Sequence, residues 1–279
     1  MLDEVMHHSI ELDANGDAIW VPSVSQEGFA DNPWLRDRVR DDALAHVSIY
    51  DGHVLDKRSF VRILRENGLQ AMLSSAFGSS SLNADPIHMN QIQIALRDSR
   101  HWQRGDLLIS SAHLSTVFLY RPSTGRIIWN QTGPWMSQHS VDFVDDHRIS
   151  VFDNNVVSGV PREHAFITPG ETNRVFLYDF DTKLASQPFA TVLAKAQPVT
   201  LTEGRARVLP DGGLFVEETN YGRHLRFTKD RLLWSRVNDY DDQRIGRVFW
   251  SRYLTAAEAR GPLQALASRH CPAAVSTNE

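Results

Sequence analysis

Cysteine is almost missing from this chain: among 279 residues only Cys271 carries a thiol. That excludes an intramolecular disulfide, a thiolate zinc site and an iron–sulfur cluster. Long apolar runs are missing too. A membrane helix needs about 20 apolar residues in a row, and the best stretch, Asp106 to Tyr120, is interrupted by Ser110, Ser111, His113, Ser115 and Thr116. The start, Met1-Leu2-Asp3-Glu4, is acidic and lacks the basic and apolar regions of a signal peptide. No membrane contact is expected from this chain itself. Basic residues are in deficit, with 29 Lys and Arg against 34 Asp and Glu, a formal charge of −5. This argues against a broad nucleic-acid surface, which needs a basic stripe. HExxH, GxSxG and Walker-type motifs are absent, so no zincin site, serine elbow or nucleotide-phosphate loop is expected.

What is present is an ordinary globular balance, 42% hydrophobic and 23% charged, together with twelve histidines. The residues repeat. His8-Ser9-Ile10-Glu11-Leu12, a turn at Asn15-Gly16-Asp17 and Ala18-Ile19-Trp20-Val21 form one unit. His139-Ser140-Val141-Asp142-Phe143, a turn at Asp145-Asp146-His147 and Arg148 to Phe152 form another. A copy begins at His88-Met89-Asn90 and reaches Gly105 to Ser110 after a longer connection. In a further copy, Arg205 to Val216, Arg205 stands where the others carry His. Each unit continues into a second hairpin, at Val47 to Tyr50, Val117 to Tyr120, Val175 to Tyr178 and His224 to Phe227. Alternating β-branched and aromatic runs joined by Gly, Asp and Asn turns read as antiparallel strands. Two hairpins per unit make a four-stranded sheet, and four such sheets in series indicate an all-β chain and a β-propeller.

Residues 1–253 are read as the propeller, with a helix and loop insertion at 59–84, and 254–279 as a helical tail. In the insertion, Phe60, Ile63 and Leu64 fall at helical spacing, and Ser74 to Ser81 is a Ser/Gly-rich loop. In the tail, Gly261-Pro262 is expected to break a helix. Arg247-Val248-Phe249-Trp250 is a candidate closing strand. At about 45 residues per blade this length would hold about six, so four clear units suggest a chain shorter than its fold.

Equivalent positions in a propeller converge on its axis. His8, His88, His139 and Arg205 are therefore expected to ring one funnel, and His46, Thr116, Arg174 and Arg223 form a second aligned column. Imidazoles and guanidiniums around one mouth suit an anion. His113 and Asn154 follow inner strands and are expected to line the wall. The bland reading of each is a polar residue tying down a turn, and His7 reads as an exposed neighbour. His46, His53, His101, His147, His164 and His270 receive no role. Three histidines could bind zinc, but no carboxylate partner is evident from the sequence, and no metal is expected.

Several segments resemble the bacterial arylsulfate sulfotransferase family, in its broad branch. They are Asp85-Pro86-Ile87-His88-Met89-Asn90, Gly105 to Ser110, Gln138-His139 with Val151 to Asn155, Thr202 to Ala206 and Pro210-Asp211-Gly212-Gly213. As a set they are specific and extend from His7 to about Tyr253. The resemblance implies a six-bladed propeller and transfer of a sulfuryl group from a phenolic sulfate to a phenol without PAPS or any cofactor. It implies a histidine nucleophile, with His88, His139 and Arg174 at family site positions and Asn90 beside them. His224 is the imidazole available in the later segment where the family carries its nucleophile. His8, Asn154, Arg205 and Arg223 complete the expected substrate-binding set. The partners implied are an aryl sulfate and a phenol, in the periplasm or at a membrane anchor. The rival readings are a non-catalytic propeller binding an anion or a protein, and a quinoprotein-like dehydrogenase suggested by the turn at Thr124 to Trp129.

Overall fold

The computed structural model describes residues 5–77, 82–157, 165–241 and 243–269. Cys271, His164, His270 and part of the Ser/Gly loop lie outside these. The chain folds into four antiparallel four-stranded sheets. Sheet 1 holds β1 (Glu11–Leu12), β2 (Ala18–Ser25), β3 (Asp41–Ser48) and β4 (Val54–Ser59), with a short helix α1 (Pro33–Arg36) between β2 and β3. Helix α2 (Phe60–Glu66) follows, capped by the Ser59 hydroxyl. Sheet 2 holds β5 (Met89–Ile94), β6 (Leu107–Ser111), β7 (Thr116–Arg121) and β8 (Arg126–Thr132). Sheet 3 holds β9 (Ser140–Phe143) and β10 (Arg148–Asp153) and, after a small hairpin of β11 (Val156–Val157) and β12 (Phe166–Ile167), β13 (Arg174–Asp179) and β14 (Leu184–Ser186). Helix α3 (Ala190–Ala196) leads to sheet 4, made of β15 (Arg205–Val208), β16 (Leu214–Glu218), β17 (Arg223–Phe227) and β18 (Leu232–Val237). A last hairpin, β19 (Asp239–Asp241) with β20 (Arg244–Ile245), precedes helix α4 (Ala256–Ala267).

The alternation of side chains along each strand explains how the sheets stack. In sheet 2, Leu107, Ile109, Phe118 and Tyr120 pack with Trp20, Leu44 and Phe60 of the sheet 1 side. Their neighbours Leu108, Val117 and Leu119 point the other way, into a core with Val141, Ile149, Val151 and Phe176 of sheet 3. Sheet 3 repeats the device: Phe152 and Val175 face Leu214, Val216, Leu225 and Phe227 of sheet 4, with Phe189, Val192 and Leu193 closing the rim. Each such residue contributes about 1.5–3 kcal/mol by leaving water. The sheets thus stack face to face in chain order, and β1, β5, β9 and β15 lie side by side along the inner edge.

Three expectations are corrected. Val47 to Tyr50 is not the start of a strand: β2 and β3 are eight residues long, β3 ends at Ser48, and Ile49 and Tyr50 fall in the turn. Arg247 to Trp250 forms no strand; Trp250 takes a left-handed φ of 58° and packs on Arg205 instead. Helix α4 runs through Pro262 unbroken, started by a capping box between Thr255 and Glu258. None of its residues is buried. No helix among the described residues is long and apolar enough to cross a membrane.

Candidate functional site

Four imidazoles from three sheets meet at one end of the inner strands. The His8 and His88 rings stand edge to face at 5.0 Å, His88 and His113 stack at 4.5 Å, and His88 and His139 stand edge to face at 6.1 Å. His7 adds a fifth ring, its Nδ1 2.7 Å from that of His8. His8, His88 and His139 converge, as the sequence suggests, but not from one register. The second strands end at Ser111, Asp153 and Glu218, each paired to the first residue of the third strand. One residue inward, the partners on the inner strands are Gln91, Ser140 and Arg205. His139 therefore lies one residue before its aligned position and His88 three before it. Asn90 is a bulge, so Met89 pairs with Ser111 and His88 stands one residue before that pair; His88 and, in sheet 3, Ser137 are both left-handed, at φ 49° and 55°. His8, at φ 60°, breaks the first inner strand between the Met6–Ser23 bridge and β1. Left-handed residues turn the chain sharply, which lets rings from unequal registers reach one place.

The imidazoles are braced by acceptors. Asp85 Oδ2 lies 2.6 Å from His88 Nδ1, so Nδ1 carries the proton and Nε2 keeps its lone pair. His139 Nδ1 faces Asn154 Oδ1 at 2.8 Å and the Ser137 carbonyl at 3.2 Å. The Asn154 orientation is set by its Nδ2, which donates to the carbonyls of Thr200 and Glu203. His139 thus also presents Nε2 as a lone pair. Burial, and then the charge of His88, lower the His139 pKa to about 4. Burial, then His88, His7 and His139, lower that of His8 to about 3. Burial alone would push Asp85 up, but the hydrogen bond from His88 and the neighbouring imidazoles outweigh it and hold the carboxyl at about 2. Asn90 is buried beside His139; its Nδ2 donates to the Gln138 carbonyl at 2.8 Å, while its Oδ1 has no hydrogen-bond partner.

The guanidiniums behave differently. Arg174 is clamped to Asp153 Oδ2 at 2.7 Å, and Arg223 to Glu218, each across the junction of the second and third strands. Asp153 and Glu218 are buried. These arginines neutralise buried carboxylates, and the structure gives neither a contact with the imidazoles. His224 sits on β17, stacked on Phe215 at 5.6 Å and 2.6 Å from the Ser251 hydroxyl. It joins none of the four imidazoles. Arg205 lies over the Trp250 ring at 4.2 Å, and its Nη1 is buried without a hydrogen-bond partner.

Arg205 borders a cavity of about 990 Å³, with Asp142, Arg207, Phe215, Arg252 and Tyr253 among its walls. It runs along β9 and β15, from Ser140, the residue after His139, to the ends of β5 and β9. Burial raises the Asp142 pKa to about 6, against the pull of Arg207 and Arg205.

Two members of the cluster carry no assigned chemistry in the sequence reading. Asp85 stands three residues before His88, a spacing that closes a side-chain hydrogen bond across a turn. His113, expected only to line a wall, is brought to His88 because Ala112 and His113 donate backbone N–H groups to His88 and Ile87.

A model of the Arylsulfotransferase (ASST) family matches residues 3–238. No curated protein matches the chain. Among solved structures, a Kuenenia stuttgartiensis hydrazine synthase chain aligns at 12% identity and TM-score 0.46, over 79% of this chain and 52% of that one. The Cps50 (Swd1) β-propeller domain of Myceliophteria thermophila aligns at 10% identity and TM-score 0.41, over 85% of this chain and 57% of the other. The chain thus spans little more than half the length of these two.

Proposed function

The chain belongs to the arylsulfotransferase family, and from that premise we propose that its imidazole cluster moves a sulfuryl group from a phenolic sulfate ester to a second phenol, without PAPS and without a cofactor. The convergence of His8, His88 and His139 from three consecutive sheets carries this reading. On the same reading the sheets are blades of a propeller of the six-bladed kind, spanning residues 1–253. The protein works in the periplasm or at a membrane anchor.

His88 is the nucleophile in this proposal. Its Nε2 attacks sulfur as the bond from sulfur to the aryl oxygen breaks, and the leaving phenolate takes a proton from water. The sulfated imidazole carries a positive charge, which the Asp85 carboxylate on Nδ1 offsets. The acceptor phenol then attacks sulfur, the N–S bond breaks, and the phenol proton passes to His139. With its pKa held at about 4, His139 is unprotonated at neutral pH and free to receive it. Splitting the transfer in two predicts ping-pong kinetics. Sulfuryl oxygens, like phosphoryl oxygens, need donors held in place; Asn90 spends one Nδ2 hydrogen on the Gln138 carbonyl and keeps the other for them, while Asn154 spends both on the Thr200 and Glu203 carbonyls and acts by orienting His139. Arg174, Arg223 and His224 have no part in this version.

Release of a chromogenic phenol from its sulfate ester, dependent on an acceptor phenol and with no PAPS present, tests the proposal. His88→Ala is expected to cut the rate by about 10³-fold or more. No transfer or hydrolysis across a panel of phenyl sulfates would overturn it. A second reading, a binding module without turnover, draws on the buried unpaired Nη1 of Arg205 at the cavity. A rise in Tm with aryl anions but no turnover would favour that reading.

A further inference from the structure

We propose that Asp85, His88 and His113 form a binding site for one divalent transition-metal ion of the zinc class. One donor atom from each of the three lies within 4.8 Å of the other two. Two imidazoles with one carboxylate suit zinc, copper or nickel; calcium and magnesium prefer oxygen alone. Asp85 and His88 share the turn before β5, and the fold adds the second imidazole by closing the β6–β7 loop, with His113, against that turn.

The frame that holds these groups is stiff. The His88 backbone N–H donates to Asp85 Oδ1 at 3.2 Å, closing the turn on itself. The Met89 N–H donates to buried Asp42 Oδ2 at 2.6 Å, and the Ser111 hydroxyl donates to the Ile87 carbonyl at 2.5 Å. Ala112 and His113 donate to the carbonyls of His88 and Ile87 at 3.1 and 3.3 Å. The three ligands therefore ride on two short segments joined by hydrogen bonds, and little chain order remains to be bought when an ion binds. His113 is exposed and gives an ion a path from solvent. The His8 ring, 5.0 Å from that of His88, is the nearest further imidazole for a fourth position.

Among the described residues two other groups have comparable spacing, Asp145 with Asp146 and His147, and His147 with Asp179 and Asp181. Each has a single imidazole. Such carboxylate-rich turns are ordinary solvated surface. The Asp85 group differs by its second nitrogen donor and its backbone frame.

An ion here would occupy His88, so ion and sulfate ester would exclude each other. That competition rests on the transfer reading; the binding does not. The test uses the full chain, free of any purification tag and stripped with a chelator. Zinc is titrated by calorimetry, and cobalt by its visible absorption. One ion per chain is expected, with affinity falling at least ten-fold in His113→Ala and in Asp85→Asn. Thermal melts confirm that both variants are folded. No stoichiometric binding, or equal affinity in both folded variants, overturns the site. Sulfuryl transfer is read separately. Transfer without zinc binding sinks the metal site alone, and zinc binding without transfer sinks the transfer reading alone. Transfer that zinc inhibits in the wild type but no longer in His113→Ala supports both.

Discussion

The imidazole end of the inner strands and the guanidinium junctions of sheets 3 and 4 make an instructive pair. Both present nitrogen-rich side chains at aligned places in the repeat, and sequence alone treats them alike. In the structure each guanidinium has its own carboxylate: Arg174 holds Asp153, and Arg223 holds Glu218. The imidazoles outnumber their carboxylates. Asp85 serves His88 and Asp42 reaches His7, while His8 and His139 stand against other rings. A charge already neutralised by its neighbour has little left for a ligand. A set of rings that oppose one another's protonation keeps lone pairs available. The arginines are committed to buried carboxylates, and the His8 and His139 rings are not.

The sharpest way to break this contrast is to exchange the readouts. His88→Ala should abolish transfer while the thermal transition stays cooperative. Arg174→Ala should do the opposite. It leaves the buried Asp153 carboxylate without its partner, a loss of about 2–4 kcal/mol after allowing for the partial exposure of the arginine, seen in urea unfolding. Its transfer rate per folded molecule should stay within a few-fold of wild type. A large fall in that rate with unchanged stability would return Arg174 to the site.

Gly204→Ala comes next in size. Gly204 has φ 85°, and a Cβ there would sit 2.7 Å from Phe152 Cε1 and Thr200 Cγ2. Left-handed strain and overpacking together should lower stability by roughly 1–3 kcal/mol, measured as a drop in Tm. An unchanged Tm would show that the loop carrying Glu203 and Thr200 yields freely.

The pH dependence is smaller and its sign is fixed. His8 and His139 have pKa values of about 3 and about 4 in the folded state, below the ordinary 6.5. The unfolded chain therefore binds more protons between those limits, and stability from these groups is present above pH 6.5 and lost as pH falls toward 4. Asp142, raised to about 6, acts in the opposite sense, losing stability as pH rises from about 4 to 6. Comparing Tm of wild type and His139→Gln isolates the histidine part: the variant should show the shallower decline between pH 6.5 and 4. Equal slopes would mean that the ring is not held neutral. The smallest effect belongs to Arg62→Gln, which removes the exposed bridges from this α2 residue to Glu27 and Glu66 and should change unfolding by less than about 0.5 kcal/mol.

The sheets are legible in the residues because alternation of apolar side chains is a local property, and Leu107 to Ile109 or Val117 to Tyr120 announce two buried faces by themselves. The meeting of His8, His88 and His139 is legible because repeats put like residues near like places. Register is not, since it depends on bends at His8, His88 and Ser137 that no residue type demands. The partners of Arg174 and Arg223 escape for a different reason. Asp153 lies 21 residues upstream of Arg174, and only the pairing of β10 with β13 shows them opposite each other. His224 stands apart from the cluster, on Phe215 and Ser251, because an imidazole on a strand gives no sign of which face it takes. Val47 to Tyr50 misleads because strands of unusual length move the turn.

Among the described residues the apolar interior has three sets that are each shared by two adjoining sheets and a fourth, around Val21, Ala45 and Val47, on sheet 1, which makes this molecule a one-dimensional object in energetic terms. A perturbation in sheet 4 is felt by sheet 3 and is diluted before it reaches sheet 1. Fraying from either end would leave an ordered remainder. Arg252 interrupts that logic by reaching back to Glu11 and the Ile10 carbonyl, 241 and 242 residues away along the chain. This single guanidinium works as a clasp between the first and last links. The amide protons of β1 should therefore exchange in step with those near Arg252, although the two regions are the farthest apart in sequence.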